Sequence, residues 1–187
     1  MAGERQPLLD LLSEMLAVER DGRRMYELLL QDAPAELHPK LIEYAEQSRR
    51  SALVLEETVR RLGGDPAHVS PGAEVVHGMT RAVVEATEQA SERAWMYRAL
   101  HLITYETRDR LIWEALDAIA DAEGGSTGEV LETAATAVLS QEALGAHGAD
   151  RNEERIEWVL DAMRMGLAGE LRVKAKTGRR GGLRRRR

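Results

Sequence analysis

The sequence predicts an all-α protein, and three features of the chain lead to this fold class. Ala, Leu, Glu and Arg dominate the composition, and all four favour helices. Apolar residues recur at steps of three and four along several long segments, which places them on one face of a helix. No alternating run of β-branched residues of strand length occurs in the sequence. Without Phe, the core is expected to consist of Leu, Ala, Val, Ile and Met.

The first two segments predict a helical hairpin. One helix covers about residues 7–31 and ends before Pro34, because a residue that precedes proline is steered out of the α conformation. The second covers about residues 36–62 and ends at residues 63–66, where Gly allows a left-handed cap and Pro prevents continuation. The short turn between the two helices predicts antiparallel packing.

The rest of the chain predicts a second hairpin after a long connection. Residues 65–78 are expected to form a crossover, since they contain Pro66, Pro71, Gly72 and Gly78. A third core helix is expected from about residue 90 to residue 123, and a fourth from about residue 129, weakened around Gly145 and Gly148. A helical extension follows over 152–167. Two hairpins joined by a long crossover predict a four-helix bundle.

The charges divide the chain into two parts. Residues 172–187 contain nine of the 26 basic residues and no Asp or Glu, so residues 1–171 hold 17 basic against 32 acidic residues. The net charges are therefore +9 and −15. We predict a bundle domain over 1–171 and a disordered polybasic tail over 172–187.

Other composition features restrict the class of function. The absence of Cys excludes disulfides, thiolate zinc sites and a Cys nucleophile. No signal-peptide pattern and no run of 18 apolar residues occurs, which predicts a cytoplasmic protein that does not engage a membrane. No phosphate-binding loop or nucleophile elbow is present.

Glu19 lies in the core-facing seam predicted for the first helix. The seam positions are Leu8, Leu12, Met15, Glu19, Gly22, Tyr26 and Leu29. A carboxylate in such a seam costs several kcal/mol unless a cation or a hydrogen-bond network meets it. Glu106 and Asp109 on the third helix and Glu142 on the fourth repeat the pattern. Counting from the turns brings all four near mid-bundle, and inward carboxylates are how helical bundles build metal sites.

Several short segments resemble one superfamily over roughly residues 8–160. They are Glu19 with Tyr26, the run Ala45-Glu46-Gln47-Ser48-Arg49-Arg50-Ser51-Ala52, the helix ending Leu62-Gly63-Gly64-Asp65-Pro66, and Tyr105-Glu106-Thr107-Arg108-Asp109. These resemble ferritin-like proteins of the rubrerythrin and YciE/YciF types. The resemblance implies a di-metal centre with one Glu on each of helices 1 and 3 and a Glu-x-x-His on each of helices 2 and 4.

The chain departs from that ligand pattern. The helix-2 ligand positions hold Ser48 and Ser51, and the helix-4 pair falls on Glu142 and Gly145. His147 is five residues from Glu142, an awkward helical offset. The expected candidate metal ligands are Glu19, Glu106, Asp109, Glu142 and His147.

Three interpretations remain open at this stage. In the first, the bundle is metal-free and its inward carboxylates are neutralised by arginines, of which Arg49, Arg50, Arg108 and Arg110 are the nearest in register. In the second, the carboxylates bind one hard cation such as Mn²⁺, Mg²⁺ or Ca²⁺. In the third, the protein is an Fe or Mn oxidase or a peroxide-consuming enzyme. The expected function is a stress-associated structural or binding protein with a degenerate centre and no cofactor, acting as a homo-oligomer.

The polybasic tail predicts a second kind of interaction. Its charged residues are Lys174, Lys176, Arg179, Arg180, Arg184, Arg185, Arg186 and Arg187, together with Arg172. Such an arm predicts non-specific DNA binding, since its charges neutralise phosphates and it contains no aromatic side chain to stack on bases. Docking on the acidic body or on a protein partner are the alternatives.

Overall fold

Every described element of the chain is helical. The computed structural model describes residues 5–88, 94–140 and 153–167. Its helices are α1 Gln6–Asp32, a 3-10 turn Ala35–Leu37, α2 His38–Arg61, α3 Pro71–Glu88, α4 Ala94–Glu123 and α5 Gly125–Ser140, and residues 153–167 form a further helix, α6. No strand occurs within these ranges, so the all-α prediction is confirmed. In the described part of the chain, none of the helices combines the length and apolar character that a membrane crossing requires.

The first two helices end where the sequence predicts. Ala33 is extended (ψ 151°) before Pro34, and its N–H closes α1 on the Leu29 carbonyl at 2.8 Å. Gly63 caps the end of α2 with φ +82°, a conformation that glycine adopts without strain. The 3-10 turn occupies the first residues of the predicted second helix.

The predicted crossover over 65–78 is partly wrong, because α3 begins at Pro71. Ser70 caps this helix: its Oγ accepts the Ala73 N–H at 3.2 Å, and Pro71 suits the first helical position. Ser13 of α1 anchors the cap, since its Oγ accepts the Ser70 N–H at 3.0 Å. Gly72 lies within this helix, close against α1, since a Cβ there would stand 1.9 Å from Glu14 Oε2.

The fourth predicted helix starts four residues earlier than expected. Gly124 and Gly125 make the turn with φ +59° and +52°, and α5 begins at Gly125. Residue 90, the predicted start of the third helix, lies outside the described residues, as do Gly145, Gly148 and the tail over 172–187. The helix predicted over 152–167 is confirmed for 153–167.

Helix α1 is the central element of the packing. It contacts α2, α3 and α4, while α5 packs on α4 and α2. The fully buried apolar side chains are mainly aliphatic, as the composition predicts: Leu12, Met15, Leu16, Met25, Leu41, Leu55, Leu102, Leu116 and Leu131, together with Tyr26. This arrangement places the middle of α1 against the middle of α4, where the predicted carboxylates lie.

Two glycines provide a matched test of the helix packing. A Cβ at Gly128 would stand 2.6 Å from the Ala120 carbonyl oxygen, so α5 approaches the α4 backbone only because this residue has no side chain. We expect Gly128→Ala to lower the free energy of unfolding by about 1–3 kcal/mol. Gly22→Ala should raise it by about 0.5–1 kcal/mol, since a Cβ there meets no described atom within 4 Å and Ala favours helix. Urea unfolding measures both free energies. Equal decreases in the two variants would contradict the close packing of α5 on α4.

Candidate functional site

Three of the predicted carboxylates lie inside the protein. Glu19 of α1 is 2% exposed, and Glu106 and Asp109 of α4 are 3% and 6% exposed. Trp113, one turn beyond Asp109, directs its indole N–H to Glu19 Oε1 at 3.4 Å. A buried carboxylate needs hydrogen-bond donors or a cation, so the groups around these three decide what the site can do.

The cation is the guanidinium of Arg155, from α6. Arg155 is 1% exposed, and its Nη1 donates to Glu106 Oε2 at 3.0 Å. Its Nη2 donates to Gln47 Oε1 on α2 at 2.8 Å. The guanidinium carbon also lies 5.3 Å from the centroid of the Tyr44 ring, a cation–π distance. One side chain thus joins α6 to both α2 and α4.

The other carboxylate oxygen of Glu106 accepts a hydrogen bond from α1. Tyr26, which is fully buried, donates its hydroxyl to Glu106 Oε1 at 2.6 Å. Burial, followed by the negative charge of Glu106, raises the pKa of the Tyr26 hydroxyl well above its usual range. Tyr26 therefore remains a donor at any physiological pH. Glu106 is bridged between a neutral hydroxyl and a charged guanidinium.

The carboxylates keep Arg155 charged despite its burial. Burial acts to lower the pKa of the guanidinium, but the neighbouring acidic groups outweigh it and hold that pKa above its usual value. Those groups are Glu106, Tyr26, Glu19 and Asp109. The Nε of Arg155 finds no acceptor among the described residues, so charge attraction rather than full hydrogen bonding stabilises it. We call Arg155, Glu106, Glu19, Asp109 and Tyr26 the arginine cluster.

Three of the four arginines predicted to neutralise the carboxylates, Arg49, Arg50 and Arg108, bind other groups. Arg49 donates to Glu46 at 2.8 Å and Arg108 to Glu14 at 2.6 Å, both away from the cluster. Arg50 donates to the Glu46 carbonyl at 3.3 Å, and Arg110 Nε lies 3.9 Å from Glu114. The arginine that meets Glu106 is instead Arg155. The sequence carried a signal for it, because Arg155, Val159, Ala162 and Gly166 follow helical steps on one apolar face.

The seam of α6 fixes where Arg155 points. Trp158 packs edge-on against Tyr44 with ring centroids 5.5 Å apart, and Val159 and Ala162 are buried. At the end of the helix, a Cβ on Gly166 would stand 2.2 Å from the Trp95 ring, so the two are in close contact. This packing holds the first turn of α6, and with it the guanidinium, over α2 and α4.

Among the described residues, the donor set does not fit the di-metal centre that the resemblance implies. Ser48 and Ser51 are buried at the helix-2 ligand positions, but a serine hydroxyl is a poor iron ligand. No group of three or more His, Cys, Asp or Glu side chains placed to hold a metal ion occurs within 5–88, 94–140 and 153–167. The guanidinium itself lies beside Glu106. Glu142, His147 and the basic tail residues from Arg172 to Arg187 lie outside the described residues, and the roles predicted for them remain predictions.

A second buried polar network holds α3 against α1 and α4. Asp21 Oδ2 accepts the Thr80 hydroxyl at 2.6 Å and lies 2.9 Å from His77 Nδ1. The Thr80 hydroxyl also contacts the Tyr105 hydroxyl, and Tyr105 donates to the Val76 carbonyl at 3.3 Å. Each hydroxyl bonds within the network, which fits a structural role that fixes α3.

Comparison with protein-family models, with curated proteins and with solved structures gives no match for this chain. The ferritin-like resemblance therefore rests on the sequence segments alone.

Removal of the buried guanidinium of Arg155 should destabilise the folded state. We expect Arg155→Ala to lower the free energy of unfolding by about 3–5 kcal/mol, because it removes the buried cation that is bonded to Glu106 and attracted by Glu19 and Asp109. Arg164→Ala is the control on the same helix: its pair with Asp161 is on the surface, so the expected change is below about 0.5 kcal/mol. Urea unfolding followed by circular dichroism measures both. Similar decreases in the free energy of unfolding of the two variants would show that Arg155 does not stabilise the cluster.

Tyr26 should make stability depend on alkaline pH. Its pKa is raised in the folded state, so its contribution is complete below the unfolded pKa of about 10 and is lost as pH rises further. We expect Tyr26→Phe to be about 1–3 kcal/mol less stable than the wild type at pH 7, with the difference shrinking above pH ~10. Urea unfolding from pH 7 to 11 measures this, with the surface change Tyr97→Phe as control. A difference that stays constant over this range would contradict the buried donor.

Proposed function

We propose that the chain is a ferritin-like four-helix bundle that works without a metal centre, as a structural or binding protein rather than an enzyme. In this proposal α1 with α2 and α4 with α5 are the two hairpins, and α3 lies in the long crossover. The arginine cluster replaces the metal centre. Its positive charge comes from the protein and needs no cofactor.

The ion pair between Arg155 and Glu106 is the observation that supports this proposal. The guanidinium lies at 3.0 Å from a carboxylate on α4 and is also charge-coupled to Glu19 and Asp109. Glu19 and Glu106 are the residues that the resemblance assigns to helix-1 and helix-3 ligation. A metal ion there would have to displace a charge that is already buried and bonded on two sides.

Ser48 and Ser51 support the same conclusion from α2. A di-metal oxidase needs ligands on both metals from this helix, and a buried hydroxyl supplies neither charge nor a strong ligand. Gln47, next to Ser48, instead accepts a hydrogen bond from Arg155. The helix that should carry a Glu-x-x-His therefore binds arginine. The competing function, an Fe or Mn enzyme, requires Arg155 to leave the cluster and Glu142 or His147 to complete it.

Metal content distinguishes the two functions. We expect protein from Fe- and Mn-supplemented cultures to contain less than about 0.1 metal ion per chain by elemental mass spectrometry, with no change in melting temperature on adding a chelator. Glu106→Ala is the comparison variant. About one or two ions per chain in the wild type, lost in Glu106→Ala, would overturn the proposal and identify a metal-dependent protein.

A further inference from the structure

A groove lies between α3 and α4. Its volume is about 580 Å³, which is within the range of small-molecule sites in proteins. The described residues of its walls include no Asp, Glu, Lys or Arg, and they are Val83, Ala86 and Thr87 of α3 and Tyr97, Leu100, His101 and Thr104 of α4. A molecule in the groove would therefore meet an uncharged and mostly apolar surface on both sides.

Two polar contacts fix the separation of the helices that form the groove. Arg98 Nε of α4 donates to Thr87 Oγ1 of α3 at 3.0 Å. Seven residues further along α4, the Tyr105 hydroxyl contacts the hydroxyl of Thr80, which lies seven residues earlier on α3. Each contact is also bonded to a carboxylate of α1. The helices are thus held in place without a ligand, and a preformed site loses less free energy on binding.

His101 lies on α4 between these two contacts. Its ring packs edge-on against Tyr105, with ring centroids 5.2 Å apart. Its Nε2 is buried and has no hydrogen-bond partner in the described part of the chain, whereas Arg98 and Tyr105 are both bonded. Burial lowers the pKa of His101, so the imidazole is neutral at pH 7 and carries one donor and one acceptor. A buried nitrogen without a partner is unfavourable, and a ligand that binds it would remove that cost.

We propose that this groove binds an uncharged aromatic alcohol, with its ring against Val83 and Leu100 and its hydroxyl hydrogen-bonded to His101 Nε2. Rotation about the last side-chain bond of a histidine is easy, so the hydroxyl can draw this nitrogen to the groove surface. The ring of Tyr97, which is 56% exposed, offers a second aromatic contact.

The uncharged walls decide against an ionic ligand. A carboxylate or ammonium group in the groove would lose hydration without meeting an opposite charge from its described lining. A hydroxyl costs less to transfer, and one hydrogen bond satisfies it. The ligand class therefore follows from the apolar walls together with the single unpaired nitrogen of His101.

A pair of probes that differ by one hydroxyl tests the role of His101. We expect 1-naphthol to bind the full chain saturably, at about one site per chain, in equilibrium dialysis. His101→Phe keeps an aromatic ring but removes the nitrogen, so it should weaken 1-naphthol binding by about 10-fold and change naphthalene binding by less than about 2-fold. Equal effects on the two probes, or no effect on 1-naphthol, would overturn the proposal.

Two alanines of α3 test the location of the site. Ala86 lines the groove and is exposed, so Ala86→Trp should fill the groove and abolish saturable binding of both probes. Ala82→Trp is the matched control, since Ala82 is exposed one turn earlier and does not line the groove. Circular dichroism verifies that both variants remain helical. No saturable binding by the wild type up to about 1 mM, or binding that survives Ala86→Trp, would overturn the proposal. The first result would leave a protein segment as the occupant.

Nuclear magnetic resonance with ¹⁵N-labelled histidine observes the hydrogen bond directly. The chain has five His, and the His101 ring signals are identified by their loss in His101→Phe. We expect 1-naphthol to shift the His101 ring nitrogens and naphthalene to shift them much less. His77 of α3, whose Nδ1 lies 2.9 Å from Asp21 Oδ2, is the internal control and should not move. Shifts of His77 without shifts of His101 would contradict the assignment.

Discussion

The attraction between one buried guanidinium and the carboxylates around it is the constraint on which the centre of this protein depends. Glu19, Glu106 and Asp109 come from α1 and α4, and without a cation their burial would oppose the packing of these helices. Arg155 meets that requirement from a third helix. The position of α6 is therefore coupled to the α1–α4 contact by electrostatic attraction as well as by apolar packing.

The cluster also explains which other polar side chains are inside. Tyr26 and Trp113 use their single N–H or O–H on a carboxylate, and Gln47 gives Arg155 a neutral acceptor. Each of these groups bonds only if its helix has the right rotation and height. A purely apolar centre tolerates sliding of helices, whereas this network allows one register. Its contribution is to the uniqueness of the arrangement more than to stability, since replacement of a buried ion pair by apolar residues often costs nothing.

The sequence predicts the elements and the inward carboxylates well, because both depend on local rules. The 3.6-residue period identifies Glu19 and Glu106 as core-facing, and Pro34 and Gly63 end helices through their own backbone preferences. The start of α3 was missed because the two glycines obscured the Ser70-Pro71 cap. The partner of Glu106 was missed for a different reason: spacing shows which side of a helix faces inward, but not which distant helix lies opposite. Spacing along the sequence therefore favours the nearby arginines over Arg155.

The place of Arg155 in the chain has a consequence for biosynthesis. The carboxylates are translated with α1 and α4, whereas Arg155 follows Glu106 by 49 residues. A nascent chain that folds from its N-terminus therefore brings α1 and α4 together before this guanidinium is available. Close packing of the two helices is less favourable until α6 has emerged, because burial of the carboxylates without that cation is costly. The ion pair is thus a late step of folding, and it ties the order of synthesis to the order in which the interior closes.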